Sequence, residues 1–343
     1  MIGVDFFCGS GGLTRGLLDA GINVILGIDA DGSCQKTYEE NNSPARFIRA
    51  DMRKLSVDEV REYFSEIDSR DLLLAACAPC QPFAQLNRNG KRTYRATLLK
   101  EFARFVEALK PRFVFLENVP GLAKVPGRST YKRFRKNLID LGYKLAEGVV
   151  NAKNYGVPQS RKRFIMIAVL DGNPSLPPPT HGKGLLDCET VEVIRNYPPI
   201  AAGEIHPEIP NHRAAILSPT NLERIKQTSH NGGDRTVWNN EIWLDCHRNQ
   251  KGYTDVYGRM YWNRPAPTLT CKCHSLSNGR YGHPEQDRAI SLREAARLQG
   301  FLDDYIFYAE TQGQLATHIG NAVPVNLAEA VGKQFRRLAG EIQ

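Results

Sequence analysis

Short apolar runs alternate with stretches of helical spacing through the first half of the chain. Runs at 2–7, 23–28, 46–50, 72–76, 112–116 and 163–169 have strand length and are rich in Val, Ile, Leu and Phe. Between them, 13–19, 35–40, 98–109 and 131–140 place apolar residues three and four apart, as one face of a helix requires. Strands alternating with helices predict an α/β fold built on a doubly wound, mostly parallel sheet. Ligands on such sheets bind outside the carboxyl ends of the strands. Those ends carry Phe7 and Gly9, Asp29, Asp51, Cys80 and Glu117, so five chemically distinct places are expected along one edge.

The pattern changes after residue 171. Pro174, Pro177, Pro178 and Pro179 form a linker-like run, and Pro198, Pro199, Pro207 and Pro210 keep the chain irregular. All three tryptophans and seven of the eight histidines fall between 171 and 309, which marks this stretch as a separate, loop-rich body. Helical spacing returns at 291–298 and again at 326–338, where an amphipathic helix suits packing back on the first domain. The expected division is 1–170, 171–309 and a returning segment, 310–343.

Composition narrows the class. With 41% hydrophobic and 24% charged residues, the 343-residue chain has the make-up of a globular protein rather than a disordered one. It has no apolar run near the ~18 residues that span a bilayer, and its start lacks a basic segment and cleavage site. A cytoplasmic protein without membrane contact is expected. The formal charge of +8 suits a polyanionic partner, and Arg88, Lys91, Arg92 and Arg95 concentrate it in one short segment. A second basic run, 124–136, reads equally as a solvated helix face. The eight cysteines are expected as reduced thiols. Cys77-Ala-Pro-Cys80 and Cys271-Lys-Cys273 are poor halves of a zinc site, so no metal is expected.

Several residues carry chemistry. Gly9-Ser10-Gly11-Gly12 lies between a strand and a helix, the place for close backbone approach to a nucleotide-like ligand. Thr14 stands where a dinucleotide fingerprint has its third glycine, which points to an adenosine-type ligand other than NAD. Asp29, at the end of the next strand, can accept ribose hydroxyls. Pro79-Cys80-Gln81 follows a strand and precedes basic residues, a setting that lowers a thiol pKa. Glu117-Asn118 ends another strand, and Gln159-Ser160-Arg161-Lys162-Arg163 puts Arg161 and Arg163 on one face by the two-residue period.

Together these motifs resemble the cytosine-C5 DNA methyltransferase family of prokaryotic, single-specificity type, over essentially the whole chain. Asp5-Phe6-Phe7-Cys8-Gly9-Ser10-Gly11-Gly12 is similar to its cofactor loop, and Pro79-Cys80-Gln81 to its nucleophile motif. Glu117-Asn118-Val119 and Gln159-x-Arg161-x-Arg163 resemble two further catalytic motifs. Arg293-Glu294-Ala295-Ala296-Arg297-Leu298-Gln299-Gly300-Phe301 and Gly320-Asn321-Ala322-Val323-Pro324 resemble the closing pair. Ala78 and Ala84 depart from the family's proline and serine, and neither position supplies a reacting group.

The resemblance implies an S-adenosylmethionine-dependent methyltransferase fold with a target-recognition domain. It implies catalytic roles for Cys80, Glu117, Arg161 and Arg163. It implies that Phe7, Gly9, Ser10, Gly11, Asp29, Asp51, Pro79, Leu98 and Asn321 hold S-adenosylmethionine and release S-adenosylhomocysteine. Gln81, Arg88, Arg92, Arg95, Gln159 and Arg235 are expected at double-stranded DNA, with 81–97 as a mobile basic loop and sequence choice in 171–262. The expected enzyme is a monomer near the nucleoid, with any cognate restriction endonuclease acting separately. Two rivals remain: a tRNA-methylating relative, and a silent DNA-binding protein on the same scaffold. Thr270-Cys271-Lys272-Cys273-His274-Ser275 lacks the Cys-Phe-Thr signature of the first, and the reactive motifs are intact against the second.

Overall fold

The structure is a computed structural model that describes residues 1–78, 98–124, 129–248 and 255–342. The chain divides into two units. The first comprises Met1–Tyr155, Lys162–Pro179 and Val323–Gln343; the second comprises Gly156–Arg161 and Thr180–Ala322.

The first unit holds a seven-stranded sheet of β1 (Ile2–Phe6), β2 (Asn23–Asp29), β3 (Arg46–Arg49), β4 (Leu72–Ala76), β5 (Phe113–Asn118), β6 (Lys144–Asn151) and β7 (Lys162–Val169). Their order is β3-β2-β1-β4-β5-β7-β6. The first five strands run parallel, and β7 is antiparallel to both β5 and β6. This is a mixed α/β fold with a mostly parallel sheet. The order reverses between β1 and β4, so their carboxyl ends flank a topological switch point.

Helices of this unit are α1 (Gly12–Asp19), α2 (Gln35–Asn41), α3 (Val57–Arg61), α4 (Leu98–Leu109) and α5 (Thr130–Asp140), with a last helix at Val325–Ala339. Side chains alternate across each strand, so the sheet has two apolar faces. Phe6, Leu72, Leu74, Val114, Leu116 and Met166 pack against Phe102, Phe105 and Phe134 of α4 and α5. Leu73, Ala75, Phe113, Phe115 and Ile167 pack against Leu13 and Leu17 of α1 and Val331 and Phe335 of the last helix. Every residue of β4 and β5 is buried, as expected of a strand covered on both sides.

The second unit contains α6 (Pro219–Gln227), α7 (Asp245–Arg248), α8 (Leu292–Leu298) and α9 (Gln312–Asn321), so the helix Val325–Ala339 is α10. Its β pairing consists of isolated bridges such as Arg259↔Gly282 and Gln159↔Ala266. Loop carbonyls must nonetheless be satisfied when buried, and arginines do it. Fully buried Arg259 donates to the carbonyls of Ile225, Thr228, His283 and Gln286. Arg293 donates to those of Pro210, Leu302 and Tyr305. Arg288 makes two 2.7 Å bonds to Glu294, which also completes the capping box of α8 with Ser291. A small apolar cluster of Ile225, Trp238, Ile242, Tyr257 and Leu276 fills the space between the loops.

Candidate active site

The turn after β1 begins in a strained conformation. Phe7 has φ +62°, uncommon for an aromatic residue. Its N–H donates to the Ile28 carbonyl at 2.7 Å, and Cys8 N–H donates to the same oxygen at 3.2 Å. Gly9 and Gly11 follow with φ +49° and +87°, values that glycine tolerates. A Cβ on Gly9 would meet nothing within 4 Å, so the backbone borders open space there. Gly9 N–H donates to Asp29 Oδ2 at 2.9 Å, and Asp31 N–H to Asp29 Oδ1 at 2.9 Å. Asp29 therefore ties the glycine turn to the end of β2, and burial raises its pKa. Asp51, beyond β3, is half-buried and paired with Arg53, whose hydrogen bond lowers the carboxyl to about 2. Ser10 is buried, and Leu98 is buried at the start of α4.

Beneath the turn, Asp5 is fully buried. Its Oδ2 accepts the Thr14 hydroxyl at 2.7 Å, and Thr14 in turn shares a hydrogen bond of 2.9 Å with the Tyr38 hydroxyl. Burial raises Asp5 to about 7. This explains the threonine in a glycine's place: it satisfies a carboxyl that the core would otherwise isolate.

At the neighbouring strand ends, β4 and β5 pair Ala76 with Leu116, so the next residues, Cys77 and Glu117, fall side by side. Glu117 is 3% exposed. Its Oε1 accepts Arg163 Nε at 2.8 Å, and its Oε2 accepts the Cys77 thiol at 2.9 Å. Arg163 reaches it from β7, and Asn118 Nδ2 donates to the Ala78 carbonyl at 3.0 Å. The exits of β4 and β5 are thus stitched together around one carboxyl group. The thiol of Cys77 was absent from the expected site residues, although flush ends on two adjacent parallel strands would have revealed it.

Other expected residues have different surroundings. Arg161 belongs to the second unit and is 2% exposed, with its guanidinium donating to the carbonyls of Leu269 and Gly320 at 2.8 Å. Gln159 is fully buried; it donates to the Leu298 carbonyl and the Gln299 side chain and accepts Leu269 N–H. Arg235 is 2% exposed, in the short turn capped by Asp234. All three lie in the interior of the second unit. Asn321 ends α9, is exposed, and accepts the Cys271 thiol at 3.1 Å. Pro79, Cys80, Gln81, Arg88, Arg92 and Arg95 lie outside the described residues. Among the described cysteines, burial pushes Cys8 well up and Cys34 and Cys273 up to about 12, and it raises Cys271 as well. None of these four has the character of a nucleophile.

A family model for C-5 cytosine-specific DNA methylases matches residues 1–337. The chain is 39% identical over 340 residues to the Type II methylase M.HgiDII of Herpetosiphon aurantiacus, covering 97% of this chain and 94% of that protein. It is 32% identical over 341 residues to the Type II methyltransferase M1.HphI of Haemophilus parahaemolyticus, covering 98% and 86%. A solved prophage-encoded DNA modification methyltransferase (E. coli) superposes with a TM-score of 0.75 at 24% identity, over 99% of this chain and 100% of that one. A DNMT2 variant from Spodoptera frugiperda gives 0.66 at 14%, over 97% and 99%; both likenesses concern the fold. No helix among the described residues is long and apolar enough to cross a membrane. A match that runs through the glycine turn, the paired strand ends and the buried Arg293 of α8 leaves one assignment: the chain belongs to the C-5 cytosine-specific DNA methylase family.

Proposed function

We propose that this methyltransferase modifies cytosine at carbon 5 within a specific double-stranded DNA sequence, using S-adenosylmethionine. Cytosine flipped from the duplex would meet Cys80 and Glu117, and the extrusion costs a few kcal/mol. The turn from Phe7 to Gly11 fits an adenosine-type group: it borders open space at Gly9, and each Asp29 oxygen that accepts an N–H retains a second lone pair for a ribose hydroxyl. Asp51 and Leu98 complete the proposed cofactor contacts from this unit. When bound, the sulfonium supplies an electrophilic methyl group.

Carbon 5 of cytosine is a poor nucleophile until carbon 6 carries a new bond, which a soft thiolate forms well. The resemblance of Pro79-Cys80-Gln81 to the family's nucleophile motif supports Cys80 for that addition. Electron density then moves onto the ring, and Glu117 donates a proton at ring nitrogen 3. Carbon 5 would take the methyl group as its bond to the sulfonium sulfur breaks, leaving S-adenosylhomocysteine. The carbon-5 proton would leave to solvent, ring nitrogen 3 would return its proton to Glu117, and Cys80 would depart as a thiolate while the double bond reforms. Arg163 holds Glu117 in place. Arg161 braces the carbonyls of Leu269 and Gly320, so its contribution is to hold that backbone.

The observation that carries this reading is the Glu117 carboxyl, buried at the strand ends and gripped at both oxygens, in a member of a cytosine methylase family. Labelled methyl transfer from S-adenosylmethionine to mixed genomic DNA and, in parallel, to total tRNA tests it. The expected result is 5-methylcytosine confined to one short DNA motif, lost in Cys80→Ala. Label on tRNA alone would transfer the assignment to RNA, and DNA binding with no transfer to either would remove the enzyme reading.

A further inference from the structure

We propose that Cys77 is a positioning residue for Glu117, a role distinct from that of the nucleophile three residues later. The inference rests on the assignment of Glu117 as proton donor to the cytosine ring. The terminal torsion of a glutamate side chain is soft and roughly two-fold, so a single partner leaves the carboxyl plane free to turn. Here two partners hold different oxygens from different strands: Arg163 Nε of β7 at Oε1, 2.8 Å, and the Cys77 thiol beyond β4 at Oε2, 2.9 Å. Two such anchors define the plane in which a proton can be delivered to ring nitrogen 3. The arginine fixes the charge balance and the thiol fixes the rotation.

The chemistry of the position supports this reading. A thiol is a weak donor with a long carbon–sulfur bond, so it reaches the carboxyl without a strong competing hydrogen bond. Glu117 Oε2 has a second lone pair, so the exocyclic amine of cytosine can donate to the same oxygen while the thiol stays in place. Cys77 is held by the sheet on its other side, because its backbone N–H donates to the Phe6 carbonyl at 3.2 Å. That same step of chain joins the glycine turn after β1 to the exit of β4. Cys77 is half-buried and is not a disulfide partner among the described residues.

The test compares Cys77→Ala, Cys77→Ser and Glu117→Gln in the full chain. Cys77→Ala should lower kcat roughly tenfold, the loss expected for one hydrogen bond to an acidic group at the reacting centre. KM for DNA and for S-adenosylmethionine should stay within about twofold, because the thiol acts on a proton transfer rather than on ground-state binding. Cys77→Ser, which keeps a donor, should recover most of the rate. Exchange of the carbon-5 hydrogen with solvent in the absence of methyl donor should fall in parallel with kcat, since it needs ring protonation but not methyl transfer. Unchanged kcat in Cys77→Ala overturns the proposal, and so does an equal loss in the serine variant or a loss carried by KM, each of which marks a packing role. Full activity in Glu117→Gln would instead remove the assignment of Glu117, and the role of Cys77 with it. Loss of activity in Glu117→Gln beside a wild-type Cys77→Ala defeats the positioning role alone.

Discussion

Asp5 illustrates how much one buried carboxyl can govern. Its partner Thr14 satisfies one oxygen, while Oδ1 has no hydrogen bond among the described residues. Burial raises it to about 7 against an ordinary 3.8. Its contribution is therefore fully present below about pH 4 and is lost as pH rises through about 7. Asp5→Asn keeps an acceptor for Thr14 and removes the titration. Between pH 6 and 8.5 the wild type should lose about 1.4 kcal/mol that the variant does not lose, measured by urea unfolding at the two pH values; parallel curves would refute the buried proton. At this scale the sequence is legible in kind but not in placement. Glu117, Asp29 and the glycine turn lie at strand ends because strands and their limits follow from apolar runs. Arg161, Gln159 and Arg235 look like ligand-binding residues in a string of letters, and all three are buried; Arg161 and Gln159 supply donors to the carbonyls of a loop-rich unit.

At the scale of elements, β4 and α4 occupy the limits that their spacing predicts, and most other strands and helices shift by one or two residues. The edge strand β6 was not apparent. Lys144, Glu147 and Gly148 interrupt its apolar pattern, and half its surface is open, so pairing with β7 creates it more than its own composition does. Helix α9 was missed for a similar reason: Thr317, His318 and Gly320 dilute its apolar face. The contact of α1 with α10 is closer than either helix alone implies. A Cβ on Gly16 would lie 2.4 Å from the Val325 carbonyl and 2.5 Å from Ala328 Cβ. Backbone cannot yield as a side chain tip does, so Gly16→Ala should destabilise the first unit by at least about 2 kcal/mol despite the gain in helix propensity. A thermal melt no lower than wild type would show that the two helices can separate without cost.

At the scale of the whole molecule, the two units answer to opposite ends of the pH range. His283 in the second unit accepts the N–H groups of Glu285 and Gln286 at Nδ1, 3.2 and 3.0 Å, and burial lowers it to about 4. Its contribution is complete above about pH 6.5 and is lost as pH falls through about 4, amounting to about 3 kcal/mol. Hydrogen exchange on the full chain should show the second unit loosening between pH 6 and 4.5, and His283→Asn, which keeps an acceptor without titrating, should blunt that change. Exchange that quickens first in the sheet would contradict it. Strand order, by contrast, could not be read from composition, because it depends on which crossovers the helices complete.

The pairing of α1 with α10 also constrains how the protein is made. Roughly 300 residues separate Asp19 from Val325, and at about 5–20 residues per second a ribosome needs ~15–60 s to span them. Throughout that interval the face of α1 around Gly16 lacks the cover that α10 gives it. That face of the nascent polypeptide is thus open to chaperones and proteases until α10 emerges. A premature stop codon just before that helix would consequently be felt at α1, roughly 300 residues earlier in the chain.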